Sequence, residues 1–564
     1  MPGFRQKRQA ELRAERSRSP EKHCEWGWAK EICNWMHKWS KGSASASDIV
    51  RDAAAKDKHD NELSKRIAAG ARHLGNAERL LESIAPVEKL PPTLSIADSE
   101  IDTVVLPYDS FHWLRKLNRR KFCRHLGAYD GGMEAWWASL MARADGPELM
   151  ARNQWVQGRS AADLKWYVPL MLFDDAGPVA NNESSYARCY YAVTGRGSDT
   201  ETRIIMCTGL KNDDLVDKSW QPILASFDRL AGPIAPGDEW GAVPIFLGSD
   251  LEYVCQVVGM QSYNNVNCCA ECEANGSTLP HNDFSAGALW RATVRDHDAY
   301  MAKFRQPRHA LVAHGWFNKH TYRYDLLHMW DHHGITSTAI GCIFDHHVKQ
   351  AHGVLPGPNQ QARLDFLNDD IKASYSMQAV SYRLPKLKLS NLSRETDFPE
   401  LHGQAVKAAN TRAAVPYCLE LQRRAVAMDP SPLEKHMFKV IESSDALYKL
   451  VYNASFWLND GELDAFSKHC RRIGNNWQML AILTAGMMQR SWPMRPKLHY
   501  SVAHMPTQAA LINPRFVQAY ASESMVGRVA KIYKHSMDGP HTHVQAKVML
   551  KYLTFLLLVW CDAV

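Results

Sequence analysis

Hydrophobic positions change period twice along the chain. From residue 98 to about 160, as in "LPYDSFHWLRKLNRRKFCRHLGA", aromatic and aliphatic residues recur every three or four positions, which predicts helices with one apolar stripe. Four short runs follow: "WYVPLMLF", "SYARCYYAVTG", "TRIIMCTGL" and "AVPIFLG". They are β-branched, aromatic and aliphatic, are bounded by Gly, Asp and Asn, and predict strands of one sheet. Beyond 285 the helical period returns, through segments around 405–428, 433–457, 463–490 and 516–560. Ahead of residue 98, the aromatic "EWGWAKEICNWMHKW" and a second helical stretch over roughly 59–85 are separated by "SKGSASASD" and closed by the three prolines of "APVEKLPPTLS". The expected order is a basic tail and helical appendage (1–97), a helical segment (98–160), a strand-rich core (161–285), a helical block (286–496) and C-terminal helices (497–564). The fold class is α/β, or α+β overall.

Composition adds little to this picture. A chain of 564 residues with 45% hydrophobic and 23% charged residues is ordinary globular material, long enough for a large core. The balance of 67 Lys and Arg against 60 Asp and Glu gives +7, which permits a nucleic-acid partner without naming one. Thirteen irregularly spaced cysteines suit free thiols in a reducing compartment. The start, "MPGFRQKRQAELRAERSRSPEK", is basic and polar, unlike a secretory signal, and suits a solvated or nuclear-targeting tail. The apolar run "YLTFLLLVW" is half of what a bilayer crossing needs, so no membrane partner is expected.

Candidate chemistry lies where the strands end. "WYVPLMLF" runs into "DDAGP", and "AVPIFLG" into "SD", so Asp174 or Asp175 and Asp250 are expected at strand exits, with a helix N-cap as the plainer role for Asp250. Much later, "QAYASESMVGRVAKIYKHS" places Glu523, Gly527, Lys531 and Lys534 on one helical face. Gly527 inside a helix suggests close approach of another backbone. Three carboxylates brought together suit a pair of Mg²⁺ or Mn²⁺ ions for phosphoryl transfer, with the lysines facing phosphates.

A second chemistry is thiol-based. In "NVNCCAECEANGS", Cys269 and Cys272 have the CxxC spacing of half a zinc site, with no second CxxC. The segment "YDLLHMWDHHGITSTAIGCIFDHH" holds five histidines and three aspartates, and its Asp325 and His328 are the candidates to complete that site. The later histidines are expected to cap, to pair with Asp331 and Asp345, or to face solvent.

Taken in order, the strand-end Asp, the "GSDLEYVCQVVGMQSYNNVNCCAEC" unit, "DLLHMWDHHGI" and "PKLHYSVAHMPTQAALINPRFVQAYASESMVGRVAKI" resemble the DDE transposases of eukaryotic DNA transposons, nearest the CACTA and Plavaka-like groups and transposase-like proteins of dinoflagellate type. The resemblance covers about residues 165–560. It implies an RNase H-like core interrupted by a large helical insertion. It puts the first acid on Asp175, with Asp174 as rival, the second on Asp250 and the third on Glu523, although Ser522 and Ser524 replace the family's aromatic and basic neighbours. Its CxxC falls on Cys269 and Cys272, and its D-x-x-H on Asp325 and His328. It implies two Mg²⁺ or Mn²⁺ ions, a structural Zn²⁺, DNA contacts from Arg528, Lys531 and Lys534, nuclear DNA as partner and a homodimer. The expected function is DNA cleavage and strand transfer. A catalytically inactive, DNA-binding descendant is the alternative, and a zinc-dependent hydrolase centred on the histidines is the third.

Overall fold

The computed structural model describes residues 30–54, 77–85, 87–95, 103–127, 131–180, 183–195, 202–210, 218–378, 380–392, 398–403, 405–486, 491–536 and 544–561. The basic N-terminal tail and most of the helical stretch expected over 59–85 lie outside them.

A small ribbon pairs β1 (Thr93–Ser95), in the expected linker, with β2 (Thr103–Val105), in the segment expected to be helical. The four apolar runs form β3 (Tyr167–Ala180), β4 (Glu183–Ala192), β5 (Ile204–Leu210) and β6 (Gly241–Gly248). With a two-residue β7 (Tyr322–Arg323) they make a mixed sheet in the order β5-β4-β3-β6-β7. The first three strands are an antiparallel meander, whereas β6 runs parallel to β3 and β7 parallel to β6. Every residue of β6 is buried, as expected of a central strand covered on both sides.

Strand β3 does not end at Phe173. It continues through Asp174, Asp175 and the Gly-Pro pair to Ala180, paired with β4 beyond the point where β6 stops, so the turn expected at "DDAGP" is absent. Strand β7 falls in the block expected to be purely helical, because two residues leave no period to read.

Helix α1 (Lys30–Ser40) belongs to the N-terminal appendage. Helix α2 (Trp220–Ala231) makes the crossover from β5 to β6. The helical block contains α3 (Ile335–Lys349), α4 (Gln360–Gln378), α5 (Ala408–Val426), α6 (Pro432–Asn453) and α7 (Asp460–Thr484). Capping boxes, Ser431 with Glu434 and Asn459 with Glu462, start α6 and α7. After them come α8 (Tyr520–Lys534), which packs on β3 and β4, and α9 (Val544–Trp560). One continuous apolar core joins residues from Val104 to Trp560, so sheet and helical block are one packed body. The appendage has its own small core, centred on Trp35, Met36 and Trp39, which docks on Leu558 of α9. Among the described residues no helix is long and apolar enough to cross a membrane.

Candidate metal centres

The parallel register of β3, β6 and β7 sets Phe173 beside Gly248 and Gly248 beside Arg323. Two residues beyond each lies an aspartate: Asp175, Asp250 and Asp325. Three neighbouring strands running the same way therefore deliver three acids to one edge of the parallel part of the sheet, Asp250 and Asp325 just past the carboxyl ends of β6 and β7 and Asp175 within β3, beyond the point where β6 stops. Successive side chains on a strand point to opposite faces, and this separates the two candidates for the first acid. Asp174 points into the fold, where its Oδ2 accepts from Arg188 Nε at 2.6 Å and from the Tyr253 hydroxyl at 2.5 Å. Arg188 is fully buried against the ring of Trp220 in α2. Asp175 faces the other way, toward α8.

Asp175, Asp250 and His328 each bring one ligand atom within 4.8 Å of the other two. The Nε2 of His328 is 3.3 Å from Oε1 of Glu523 and 3.9 Å from Oδ2 of Asp175. Glu523 reaches this group from α8 through His328 and Asp175, so the imidazole links the three acids. Burial, then Glu523 and Asp250, push the Asp175 carboxyl well above its usual range. Burial raises Asp250 as well. Burial raises Glu523 as well, but the hydrogen bond and charge of His328 together with a hydrogen bond from Asp175 outweigh it and hold the carboxyl below its ordinary value. Burial pulls His328 down, yet hydrogen bonds to Asp325 and Glu523 prevail and keep it well above the ordinary histidine value. The cluster concentrates negative charge and balances it with an imidazolium.

Asp325 is the positioning residue of this centre. Its Oδ2 lies 2.7 Å from Nδ1 of His328, while Oδ1 accepts from the backbone N–H of Ala519, at the entrance to α8, at 2.6 Å. One carboxylate thereby fixes both the imidazole and the helix that carries Glu523. His328 sits in a π-turn, Leu327–Asp331, a local widening found often at functional sites. Asp250 is also the N-cap of the helical turn after β6, accepting from the Tyr253 N–H, so the cap and the site share one side chain. The sequence reading missed Lys497, a half-buried ammonium whose charge acts on Asp250 and whose Nζ donates to the His333 carbonyl.

Cys269 and Cys272 form a second centre, separate from Asp325 and His328, and its other members are His499 and His504. This corrects the expected ligand set. Cys269 Sγ is 3.3 Å from His504 Nε2, Cys272 Sγ is 3.4 Å from His499 Nε2, and the two Nε2 atoms are 3.1 Å apart. Tetrahedral zinc with Zn–S near 2.3 Å and Zn–N near 2.0–2.1 Å requires such edges to be about 3.3–3.6 Å. His499 Nδ1 donates to the His281 carbonyl at 3.0 Å, which leaves Nε2 as a bare lone pair facing the cluster. The Tyr500 hydroxyl clamps the CxxC loop, accepting from Ala270 N–H and donating to Cys268 O. A hydrogen bond from Cys269 lowers the Cys272 thiol to about 5, and burial raises Cys269.

The pairing of His499 with His504 depends on a π-turn at Tyr500–His504. At 3.6 residues per turn, side chains five apart point roughly 140° away from each other. The wider π-turn returns position i+5 to the same side. The spacing H-x₄-H was visible in "PKLHYSVAH", but α-helical periodicity hides its meaning.

Lys531 and Lys534 are exposed along α8, as expected of phosphate contacts, whereas the Arg528 guanidinium lies 4.2 Å from the Phe555 ring of α9. No backbone approaches Gly527: a Cβ there would meet nothing within 4 Å, so the face of α8 after Glu523 borders open space. The remaining histidines divide. His333 pairs with Glu400 at 2.6 Å, and His346 and His347 gather with Glu434, each bringing one ligand atom within 4.8 Å of the other two, while Asp331 and Asp345 take Tyr448 with Tyr520 and Lys349.

No known protein-family model matches the chain, and neither does any curated protein.

Proposed function

We propose that the chain is a DDE-type DNA nuclease and strand transferase, a transposase or a protein derived from one. The observation that carries this reading is the approach of Asp175 from within β3, Asp250 from the end of β6 and Glu523 from a late helix to one imidazole. The strand order, an antiparallel meander followed by two parallel strands on the far side of β3, is what an RNase H-like core requires and supports it further.

Asp175, Asp250 and Glu523 would hold Mg²⁺ or Mn²⁺, which supplies Lewis-acid charge and a lowered water pKa when bound. Once its proton is displaced, His328 would add an Nε2 lone pair that suits Mn²⁺ better than Mg²⁺. In the first step a water oxygen bonds to phosphorus and the bond to the 3′ oxygen breaks, leaving a 3′-hydroxyl and a 5′-phosphate. In the second, that 3′ oxygen bonds to a target phosphorus and displaces the target's own 3′ oxygen. The residues of the chain orient the scissile phosphate, and exposed Lys531 and Lys534 hold the flanking backbone. Cys269, Cys272, His499 and His504 would hold a structural Zn²⁺ that ties the CxxC loop to the segment preceding α8. Nuclear DNA and a paired second copy follow from this reading.

Nicking of a supercoiled plasmid in Mn²⁺, abolished by Asp250→Asn, is the expected result. A chain that retards DNA on a gel and never nicks it would instead be the inactive descendant.

A further inference from the structure

A cavity of about 560 Å³ opens beside α8, on the face formed by Tyr520 and Ser524 and next to the one carrying Glu523. Its volume lies within the range of about 300–1,000 Å³ usual for small-ligand sites. Three guanidinium groups, Arg203, Arg412 and Arg515, line it, and among the described residues no Asp or Glu does. Neither Arg412 nor Arg515 forms an ion pair with a described carboxylate. The acid whose charge reaches Arg412 is Asp331, already satisfied by the hydroxyls of Tyr448 and Tyr520.

Aromatic rings hold these cations. The Arg412 guanidinium carbon is 4.4 Å from the Tyr520 ring and 4.8 Å from that of Tyr452, and the Arg515 carbon is 5.2 Å from Tyr452. Stacking occupies the flat face of a guanidinium and leaves its N–H edge for an acceptor. Arg412 spends one N–H on the Tyr452 hydroxyl and Arg515 one on the Tyr452 carbonyl, which orients both forks. Like charges gathered where no carboxylate lines the wall repel one another, and a bound anion relieves that repulsion. Two further rings, Phe516 and Tyr382, line the same cavity, and Tyr382 is 58% exposed. An exposed ring beside arginines is the arrangement that stacks an unpaired base and holds its phosphate.

We propose that this cavity binds one unpaired nucleotide of a DNA strand, its phosphate on Arg412 and Arg515 and its base against Phe516 or Tyr382. Choosing DNA over a free nucleotide rests on the proposed function, because α8 carries both Glu523 and the wall of the cavity.

The test uses the full chain and a six-nucleotide single-stranded DNA carrying one 5-iodouracil. Photo-cross-linking to wild-type protein is expected at Phe516 or Tyr382, and the variant R412Q/R515Q is expected to bind the oligonucleotide at least tenfold more weakly. Unchanged affinity in a variant that keeps the wild-type melting temperature, absence of binding by the wild type, or cross-links confined to other surfaces would overturn the proposal. The wild-type cross-link map decides the matter if the double variant does not fold. Cross-linking in the cavity without plasmid nicking would leave this inference standing and remove the nuclease reading. Nicking without cross-links there would do the reverse.

Discussion

Asp174 and Asp175 are neighbours in β3 with opposite fates: the first is locked to Arg188 at 2.6 Å inside the fold, the second lies 3.9 Å from His328 on the rim of the sheet. Chemistry that could not be assigned between them by sequence is divided by the pleat of one strand. Asp174→Asn is expected to leave a fully buried guanidinium without its counter-charge and to destabilise the chain by about 3–5 kcal/mol. Asp175→Asn relieves a crowded set of acids and is expected to leave stability unchanged or raised while abolishing nicking. Urea denaturation of the two variants, with the plasmid assay beside it, checks the contrast.

The zinc centre predicts one Zn²⁺ per chain, measured by elemental analysis of protein purified without added metal. Cys272→Ser or His504→Ala should remove it. Chelation should then lower the melting temperature and expose the core, because a structural site contributes folding free energy directly. Loss of the ion with no change in melting would contradict a structural role.

The sheet and most helices were legible because their periods are regular and long. The apolar runs at 166–173, 185–195, 202–210 and 242–248 each lie on an observed strand. Asp250 and Glu523 were legible as acids at a strand end and on a helix face. What stayed hidden was set by tertiary pairing: β7 is too short to show a period, and its place beside β6 is what brings Asp325 to the rim. His499 and His504, the partners of the CxxC, stayed hidden because a π-turn, which has no sequence period of its own, makes them a pair. Lys497 gave no signal, since burial of a lone lysine is decided by what packs over it.

Gly527 tests the open face of α8. With nothing within 4 Å of a Cβ, Gly527→Ala meets no clash and gains helix propensity, so it should raise stability by about 1 kcal/mol. Thermal or urea unfolding measures this. A loss of stability would show that the face is covered.

Asp331 gives a pH dependence. It is fully buried, faces Tyr448, Tyr520, Arg412 and Asp325, and burial raises its carboxyl from 3.8 to about 7 against the hydrogen bonds of the two tyrosines. The folded chain therefore keeps a proton that the unfolded chain has released. This contribution is fully present below about pH 4 and is lost as pH rises through 7, on the order of a few kcal/mol in total. Asp331→Asn should flatten that part of the stability profile. A wild-type profile from pH 5 to 8 that matches the variant's would show that Asp331 does not titrate in this range.

Binding of Mn²⁺ to the full chain, followed by electron paramagnetic resonance of the free ion, tests the acid cluster most directly because it needs no DNA. Saturable binding in the wild type, lost in Asp175→Asn and in Glu523→Gln while zinc remains at one per chain, is the predicted result. Mn²⁺ binding that persists undiminished in both variants would mean that these carboxylates do not form the site.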